Sequence, residues 1–587
     1  LLPPTDWDGL FYHLTGPRFY LQAGGIIGGL DIPHLSFPSL MEMLFAWAML
    51  LRGDIVAKLL HTGYGALLAG LVYLTTCRFF GKKAVWLAIL VFASMPMIGT
   101  LAGWAYNDLA LAFYQFAALY AIVQWRVANL KSQISNYKLQ ITNYKLQITN
   151  YKSQITNHKL QITNYKSQIS WLILSGVFAG LAMGLKYTGI VTPLVIGGLI
   201  LWYSYWPSRV MPGIKKDSPG PDPTFPPKPI TGNETQSDRT SPLTHYASRF
   251  AGLTNLVLFA ASVLLIAWPW YVKNWAFTGN PAYPFLYDVF GGQYWDEFRA
   301  DWYAAAGTGI GWQPGTLLTL PWLLTLGVRD MNYWDGRTGP LFLLFLPLLV
   351  WTGFSRRVER PAALGPLLMY ALAHFAFWIL GVVWSRSLWQ SRLLLPGLVA
   401  LTPVVGWLWA NLSNFKLPHF SLSRFVNIAI GLVLALTILD LGLLTLKIDP
   451  LPYLVGLENR DAYLTRRLGA HYAAMQQINT DLPPDAVLVF LWEPRSYYCQ
   501  RDCRPDSILD TFPHLVYQYG SAKAIAEAWQ QEGVTHVLIH RAGLQFVLSE
   551  SPEVVDTTVL NELETRSLRP VFEVGRAYQV YALVEKP

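Results

Sequence analysis

The 587 residues are 53% hydrophobic and only 14% charged, with a mean hydropathy of +0.30. Soluble globular chains carry roughly a quarter charged residues, so this chain belongs largely in lipid. The formal charge of +8 raises nucleic acid as a partner, but the basic residues cluster in loops between apolar spans, a topology signal that argues against it. The 24 Trp among 14% aromatics fit belts at two membrane interfaces.

The chain opens on Leu1 to Thr15, LLPPTDWDGLFYHLT, with Asp6 and Asp8 on short polar ground and Tyr12 four residues after Asp8. A helix from Asp8 onward places the i, i+4 pair Asp8/Tyr12 on one face. An acid beside an aromatic at a membrane surface suits a site for a sugar on a lipid carrier. The competing reading is that Asp6 or Asp8 caps a helix. The chain starts with Leu and has no signal-peptide pattern, so a first span upstream is expected to be missing.

Residues 16–53 read as a polar, Gly- and Pro-punctuated loop with an apolar segment, Leu40 to Leu51, lying along the interface. Spans of about 17 to 25 apolar residues match roughly 30 Å of hydrocarbon. They are expected at 54–80, 84–103, 109–126, 171–186, 187–206, 252–272, 338–354, 362–384, 393–411 and 425–446, about ten in all. Between the third and fourth, 129–170 is a low-complexity insert built on NYKLQIT repeats from Asn136 to Ser170. Its Tyr and Ile positions trace a heptad seam, but Asn and Thr form helices poorly, and a tandem expansion tolerated in a cytoplasmic loop is the expectation. The Pro-, Ser- and Thr-rich stretch 207–249 reads as a disordered linker. The loop 273–336 is aromatic and carries an amphipathic stretch near Leu317 to Leu326.

The basic segments 78–83, 126–170, 207–249, 355–360 and 412–424 alternate along the chain and are expected to be cytoplasmic. That puts the N-terminal acidic loop, the Asp108 turn, Lys186, the 273–336 loop, the 385–392 turn and the tail on the other face. The tail, 447–587, reads as a small soluble α/β domain of about 140 residues. Its helices are expected at Ala462 to Ile478 and Ala522 to Gln531, and its β runs at Ala486 to Leu491, Thr535 to His540 and Tyr578 to Val584. Outside the cytoplasm Cys499 and Cys503 can pair; with no further ligands beside them, a zinc site is not favoured.

Asp8, Asp108, Lys186, Lys273 and Arg392 thus converge, by topology, on the outer ends of different spans. Such groups are often snorkelling anchors, most of all Lys273 beside Trp270 and Tyr271. Cations and carboxylates at one face can also seat a lipid phosphate and activate a hydroxyl.

Here the residues carry a resemblance. WDGLFYHL matches the Asp-x-x-x-Tyr pattern in the first external loop of GT-C-type membrane glycosyltransferases of the bacterial protein-mannosyltransferase and aminoarabinose-transferase superfamily. AYNDLALAFY resembles their second acidic motif, GLAMGLKYTG their Lys-bearing turn, QSRLLLPGL their late helix start, and WPWYVKNWAFTGNPAYPF the opening of their large external loop. The likeness covers residues 1–446, a transferase module. It implies a mainly α, polytopic transmembrane helical bundle with external amphipathic helices, transferring a sugar with inversion from a polyprenyl-phosphate donor to a lipid, glycan or protein acceptor. It implies Asp8 as the catalytic base or acceptor-orienting carboxylate, with Asp108 supporting it or holding an ion. Lys186, Arg392 and Lys273 would bind the donor phosphate, and Tyr12, Asp6 and Asn107 line the site. The location implied is a bacterial-type plasma membrane, with the site and tail extracytoplasmic. Gly9 follows Asp8 where many relatives have a second acid, and no Lys precedes Pro38 in His34 to Pro38. These departures leave acceptor class and any divalent-cation requirement open; no other cofactor is expected. The alternatives are a flippase for lipid-linked sugars, which usually shows paired repeats and midplane charges, and a membrane scaffold.

Overall fold

The computed structural model describes residues 1–145, 151–205, 242–305, 311–326, 338–354, 359–385, 388, 390–415 and 421–584, with backbone only for 131–145, 151–165, 242–251 and 353–354. Most of the linker expected at 207–249, the end of the 273–336 loop and parts of the basic segments 355–360 and 412–424 lie outside the described residues.

All ten expected spans are helical. Among the described residues six helices are long and apolar enough to cross a membrane: Asp54–Phe80, Tyr187–Tyr205, Gly252–Thr278, Leu364–Trp384, Ser391–Ala410 and Leu422–Ile448. The pair Lys82–Ala93 and Pro96–Ala102 is apolar enough only when taken together, and it is bent by 63° where Pro96 opens a new helix at its first turn. The helix Asp108–Lys145 is less apolar for a structural reason. Its wall of Leu109, Phe116, Leu119, Ile122 and Trp125 is buried together with Gln115 and Gln124, so other helices, not lipid, surround it. Leu341–Phe354 has 14 residues, about 21 Å of helix, and is short for a crossing.

Small residues set the closest approaches. A Cβ on Gly176 would lie 2.6 Å from Phe259 O, and one on Gly180 2.7 Å from Val263 O. This Gly-x-x-x-Gly pair lets the helix Tyr151–Met183 lie against the backbone of Pro242–Thr278. Gly406 does the same against Ala84 O, at 2.2 Å.

The repeat differs from expectation. Its described parts continue the helices Asp108–Lys145 and Tyr151–Met183 instead of forming a loop. Extending a helix already anchored in the bundle avoids the nucleation cost that weak helix formers cannot meet alone.

The segment expected along the interface is the helix Leu40–Arg52. The amphipathic stretch is Pro314–Leu326, which buries Leu320 and Leu324 against Trp378, Val382 and Leu394 and leaves Leu318 and Trp322 exposed.

In the tail five strands, β1 (Val487–Leu491), β2 (Asp502–Arg504), β3 (His536–His540), β4 (Leu568–Val574) and β5 (Tyr578–Leu583), form one sheet in the order β2-β1-β3-β5-β4. The β2–β1 and β1–β3 pairings are parallel, the β3–β5 and β5–β4 pairings antiparallel. Side chains alternate between faces. Val489, Leu491, Val537 and Ile539 pack with Phe512, Ile525 and Trp529 on one face, while Leu488, Phe490 and Leu538 pack with Met475 and Ile478 on the other. The expected helix 462–478 is two, Arg460–Leu468 and Ala470–Asp481, broken at Gly469, where φ is 56°. Cys499 and Cys503 are joined by a disulfide.

The tail clasps the N-terminal segment. The Arg18 guanidinium donates to Tyr497 O and Cys499 O, and Tyr498 OH donates to Pro4 O at 2.8 Å. Arg460 pairs with Asp54. Arg495 sits 4.2 Å over the ring of Trp7, next in sequence to Asp8. At the other end of the bundle Arg126 ties to Tyr203 OH at 3.1 Å and Ala362 O at 2.7 Å.

Candidate functional site

Asp8 does not open an ordinary α-helix. Gly9–His13 is a single π turn, closed by Leu14 N–H donating to Gly9 O at 2.9 Å. Such wide turns arise when tertiary contacts outweigh the i, i+4 ladder, and they recur at functional sites. Here Gly9 is needed, because a Cβ would lie 1.9 Å from Asp6 Oδ2. The capping reading fails for Asp8, whose side chain makes no cap hydrogen bond. Its Oδ2 instead accepts from Arg392 Nη2 at 2.9 Å, and its backbone N–H donates to Tyr106 OH at 3.3 Å.

Arg392 opens the last crossing but one, on the short turn Ser391–Leu394. It is buried and held on three sides. Gln390 Oε1 accepts from its Nε at 3.1 Å and Nη2 at 2.9 Å. The Tyr106 ring lies 4.8 Å beneath it, a cation–π contact. Its Nε is 4.0 Å from Asp108 Oδ2. Asp108 is the first residue of its helix, where the positive end of the dipole favours an anion, and Lys186 Nζ donates to its Oδ1 at 3.4 Å. Asp8, Arg392, Asp108 and Lys186 therefore form a chain of alternating charges drawn from four distant segments. Asp8 and Lys186 keep some exposure while Arg392 and Asp108 are buried.

Neighbouring groups fix these turns. His61 Nδ1 lies 2.9 Å from Trp104 O, and its Nε2 accepts from Leu109 N–H at 3.0 Å. The proton is thus on Nδ1, and the imidazole caps the helix that Asp108 begins. Asn107 Nδ2 donates to Leu185 O at 3.2 Å, binding the Asp108 turn to the Lys186 turn, and its buried Oδ1 has no hydrogen-bond partner among the described residues.

Two of the expected site residues support the loop. Asp6 accepts from Ala105 N–H at 3.3 Å, and burial pushes its carboxyl above the usual range. Tyr12, expected on the face of Asp8, has no hydrogen bond to it; in a π turn the i, i+4 register is lost. Tyr12 stacks on His34 with ring centroids 5.0 Å apart. Burial, then the Asp8 charge, holds its phenol protonated well above the ordinary range. Burial also lowers His34 to about 4, so this imidazole is neutral.

Lys273 is not brought into the chain of charges. Its three protons go to Leu35 O at 3.0 Å, Phe37 O at 3.0 Å and Ser39 Oγ at 3.1 Å, which uses every donor an ammonium has to hold the 33–39 loop. Sequence reasoning missed Tyr106, Gln390, His61 and the buried pair His13–Glu42, whose Nδ1 and Oε1 are 2.6 Å apart. Tyr106 and Gln390 stand inside the two motifs that flagged Asp108 and Arg392. Among the described residues no group of three or more His, Cys, Asp or Glu side chains is arranged to hold a metal ion.

The sequence matches no family model and no curated protein. The structure is similar to that of ArnT from Cupriavidus metallidurans bound to undecaprenyl phosphate, with a TM-score of 0.52 at 14% identity, covering 99% of this chain and 95% of that one. It is similar also to ArnT in the apo state, with a TM-score of 0.53 at 14% identity over 99% and 94% of the two chains. At that identity the likeness establishes the fold: a GT-C-type polytopic helical architecture with a C-terminal domain.

Proposed function

We propose that this chain is an integral-membrane glycosyltransferase that moves a sugar from a polyprenyl-phosphate donor to a hydroxyl of a lipid, glycan or protein acceptor at the extracytoplasmic face. The observation that carries the reading is the Asp8–Arg392–Asp108–Lys186 chain at one end of a bundle of apolar helices. The occupation of an ArnT structure by undecaprenyl phosphate supports the donor class. Residues 1–446 form the transferase module in this reading, and 447–587 an extracytoplasmic α/β domain packed on the segment that carries Asp8.

The chemistry follows from the charges. Without ligand the two cations are neutralised by the two carboxylates. A donor phosphate competes for the same cations: Arg392 offers a rigid fork and Lys186 a mobile point charge. Asp108, behind both, keeps them in place. Pairing Arg392 with phosphate releases Asp8, whose carboxylate then takes the proton of the acceptor hydroxyl. The acceptor oxygen bonds to the anomeric carbon as the bond from that carbon to the phosphate oxygen breaks. The electron pair leaves with the phosphate, where the cations stabilise the growing charge. Attack from the side opposite the phosphate inverts the anomeric centre. The alternation of basic loops supports the sidedness.

The test is transfer itself. Full-length protein in lipid is given a radiolabelled polyprenyl-phosphate sugar and a mixed acceptor pool, and label is expected to move to an acceptor. Movement of intact donor across the bilayer with no transfer would overturn the reading in favour of a flippase.

A further inference from the structure

A second site lies away from the charged chain. A cleft of about 1140 Å³ opens between the N-terminal turn 27–32, the external-loop residues 294–299 and the edge of the tail at β2. This exceeds the roughly 300–1,000 Å³ of sites for single small molecules, so an oligomeric ligand fits it better. One wall is continuous with the segment carrying Asp8: Phe19, Leu30 and Ile32 pack against Phe11 and Tyr12.

The lining has an unusual polarity. Arg299 forks Asp31, with Nη1–Oδ1 at 2.6 Å and Nη2–Oδ2 at 2.8 Å. Its Nε lies 2.8 Å from Asp510 Oδ2, a close approach outside hydrogen-bond geometry. The Arg299 side chain is 5% exposed and that of Asp31 53%. Arg504 likewise neutralises Glu532 at 3.1 Å and Asp502 at 3.8 Å, and His514 Nε2 lies 2.6 Å from Asp296 Oδ2. The exposed carboxylates of Asp31, Asp502 and Glu532 thus keep lone pairs toward the cavity while arginines balance their charge, Arg299 from a buried position and Arg504 from the cleft lining itself. Tyr294 adds a half-exposed ring, its carbonyl held by Arg299 Nη1 at 3.0 Å.

An ion of either sign would find its counter-charges on the lining already paired. An apolar chain would strand their acceptors unsatisfied. A hydroxyl both donates and accepts, so a chain of hydroxyls satisfies such a wall, and a ring face suits the apolar side of a sugar. We propose that this cleft binds a neutral oligosaccharide, which serves as the acceptor glycan; the acceptor role, but not the binding, rests on the transferase reading above.

The test is titration of the full chain in nanodiscs, without donor. The probes are neutral hexasaccharides (malto-, cello-, xylo- and chito-oligomers), a sulfated hexasaccharide and a Gly/Ser peptide of equal length. The variants are Tyr294→Gly, which keeps the left-handed backbone at φ 65°, and Asp502→Asn at an exposed carboxylate. At least one neutral chain is expected to bind saturably, at least tenfold more weakly in each variant, with unchanged thermal unfolding. No saturable binding by any neutral chain, binding indifferent to both substitutions, or preference for the sulfated or peptide probe would overturn the proposal. Glycan binding without any sugar transfer would sink the transferase reading alone, and transfer to a lipid without glycan binding would sink this one alone.

Discussion

Replacing Asp8 by Asn separates a catalytic carboxylate from a structural one. The Asp8–Arg392 contact of 2.9 Å has a gross attraction of about 6 kcal/mol at an effective dielectric near 20, most of it offset by desolvation. Asn keeps an acceptor at the same place, and Arg392 retains Gln390 at 2.9 and 3.1 Å and Asp108 at 4.0 Å. The net stability loss is therefore about 1–2 kcal/mol. Loss of a general base lowers the rate about 10²- to 10⁴-fold, or roughly 3–5 kcal/mol of barrier. The two effects differ enough to be read apart. Initial rates of transfer from a polyprenyl-phosphate sugar, with thermal unfolding in parallel, are the assay. kcat is expected to fall while KM for the donor stays level or falls, because Arg392 has lost a competitor for the phosphate. A variant within tenfold of wild type, or one with raised donor KM and unchanged kcat, would refute the reasoning.

Lys273→Met should lower stability by about 2–4 kcal/mol, since three acceptors lose a charged donor, yet leave donor KM within about threefold. A tenfold rise in donor KM would return Lys273 to the phosphate site. Gly9→Ala should cut transfer at least about tenfold and cost about 1–3 kcal/mol, because the new Cβ meets Asp6 Oδ2 at 1.9 Å while Ala105 N–H holds that carboxylate. Melting and rate measurements check both, and an undisturbed variant would show that the π turn is dispensable. Burial raises the carboxyls of Asp506 and Asp510 in the tail. The folded tail thus holds protons that the unfolded chain releases, and this contribution is full below the ordinary carboxylate pKa and fades as pH rises through the elevated values. Asp510→Asn should flatten the decline of the tail's melting temperature between about pH 4 and 7; an identical slope in the variant would count against it.

Much of the architecture was open to reading in one dimension. Long apolar runs gave the helices of the bundle, six of them long and apolar enough to cross a membrane among the described residues, and short β-rich runs gave β1, β3 and β5. β2 and β4 were missed, the first being three residues long and the second carrying Pro570 and charged residues. The helical course of the repeat's described parts was not legible, because its residues are poor helix formers alone but extend helices fixed elsewhere. At the site, the motifs flagged Asp8, Asp108, Lys186 and Arg392, but their partners were hidden: Tyr12 looked like the companion of Asp8, and the π turn gave that place to Arg392, 384 positions away.

The amino-acid order alone determined which segments enter lipid and where their charged ends fall, because transfer from water is nearly additive residue by residue. Which charge meets which was decided only by the packed bundle. Ion pairing depends on separations of a few ångströms, and no local pattern encodes them. The same holds for Lys273, a candidate phosphate ligand by the resemblance, which tertiary contacts make the anchor of a loop.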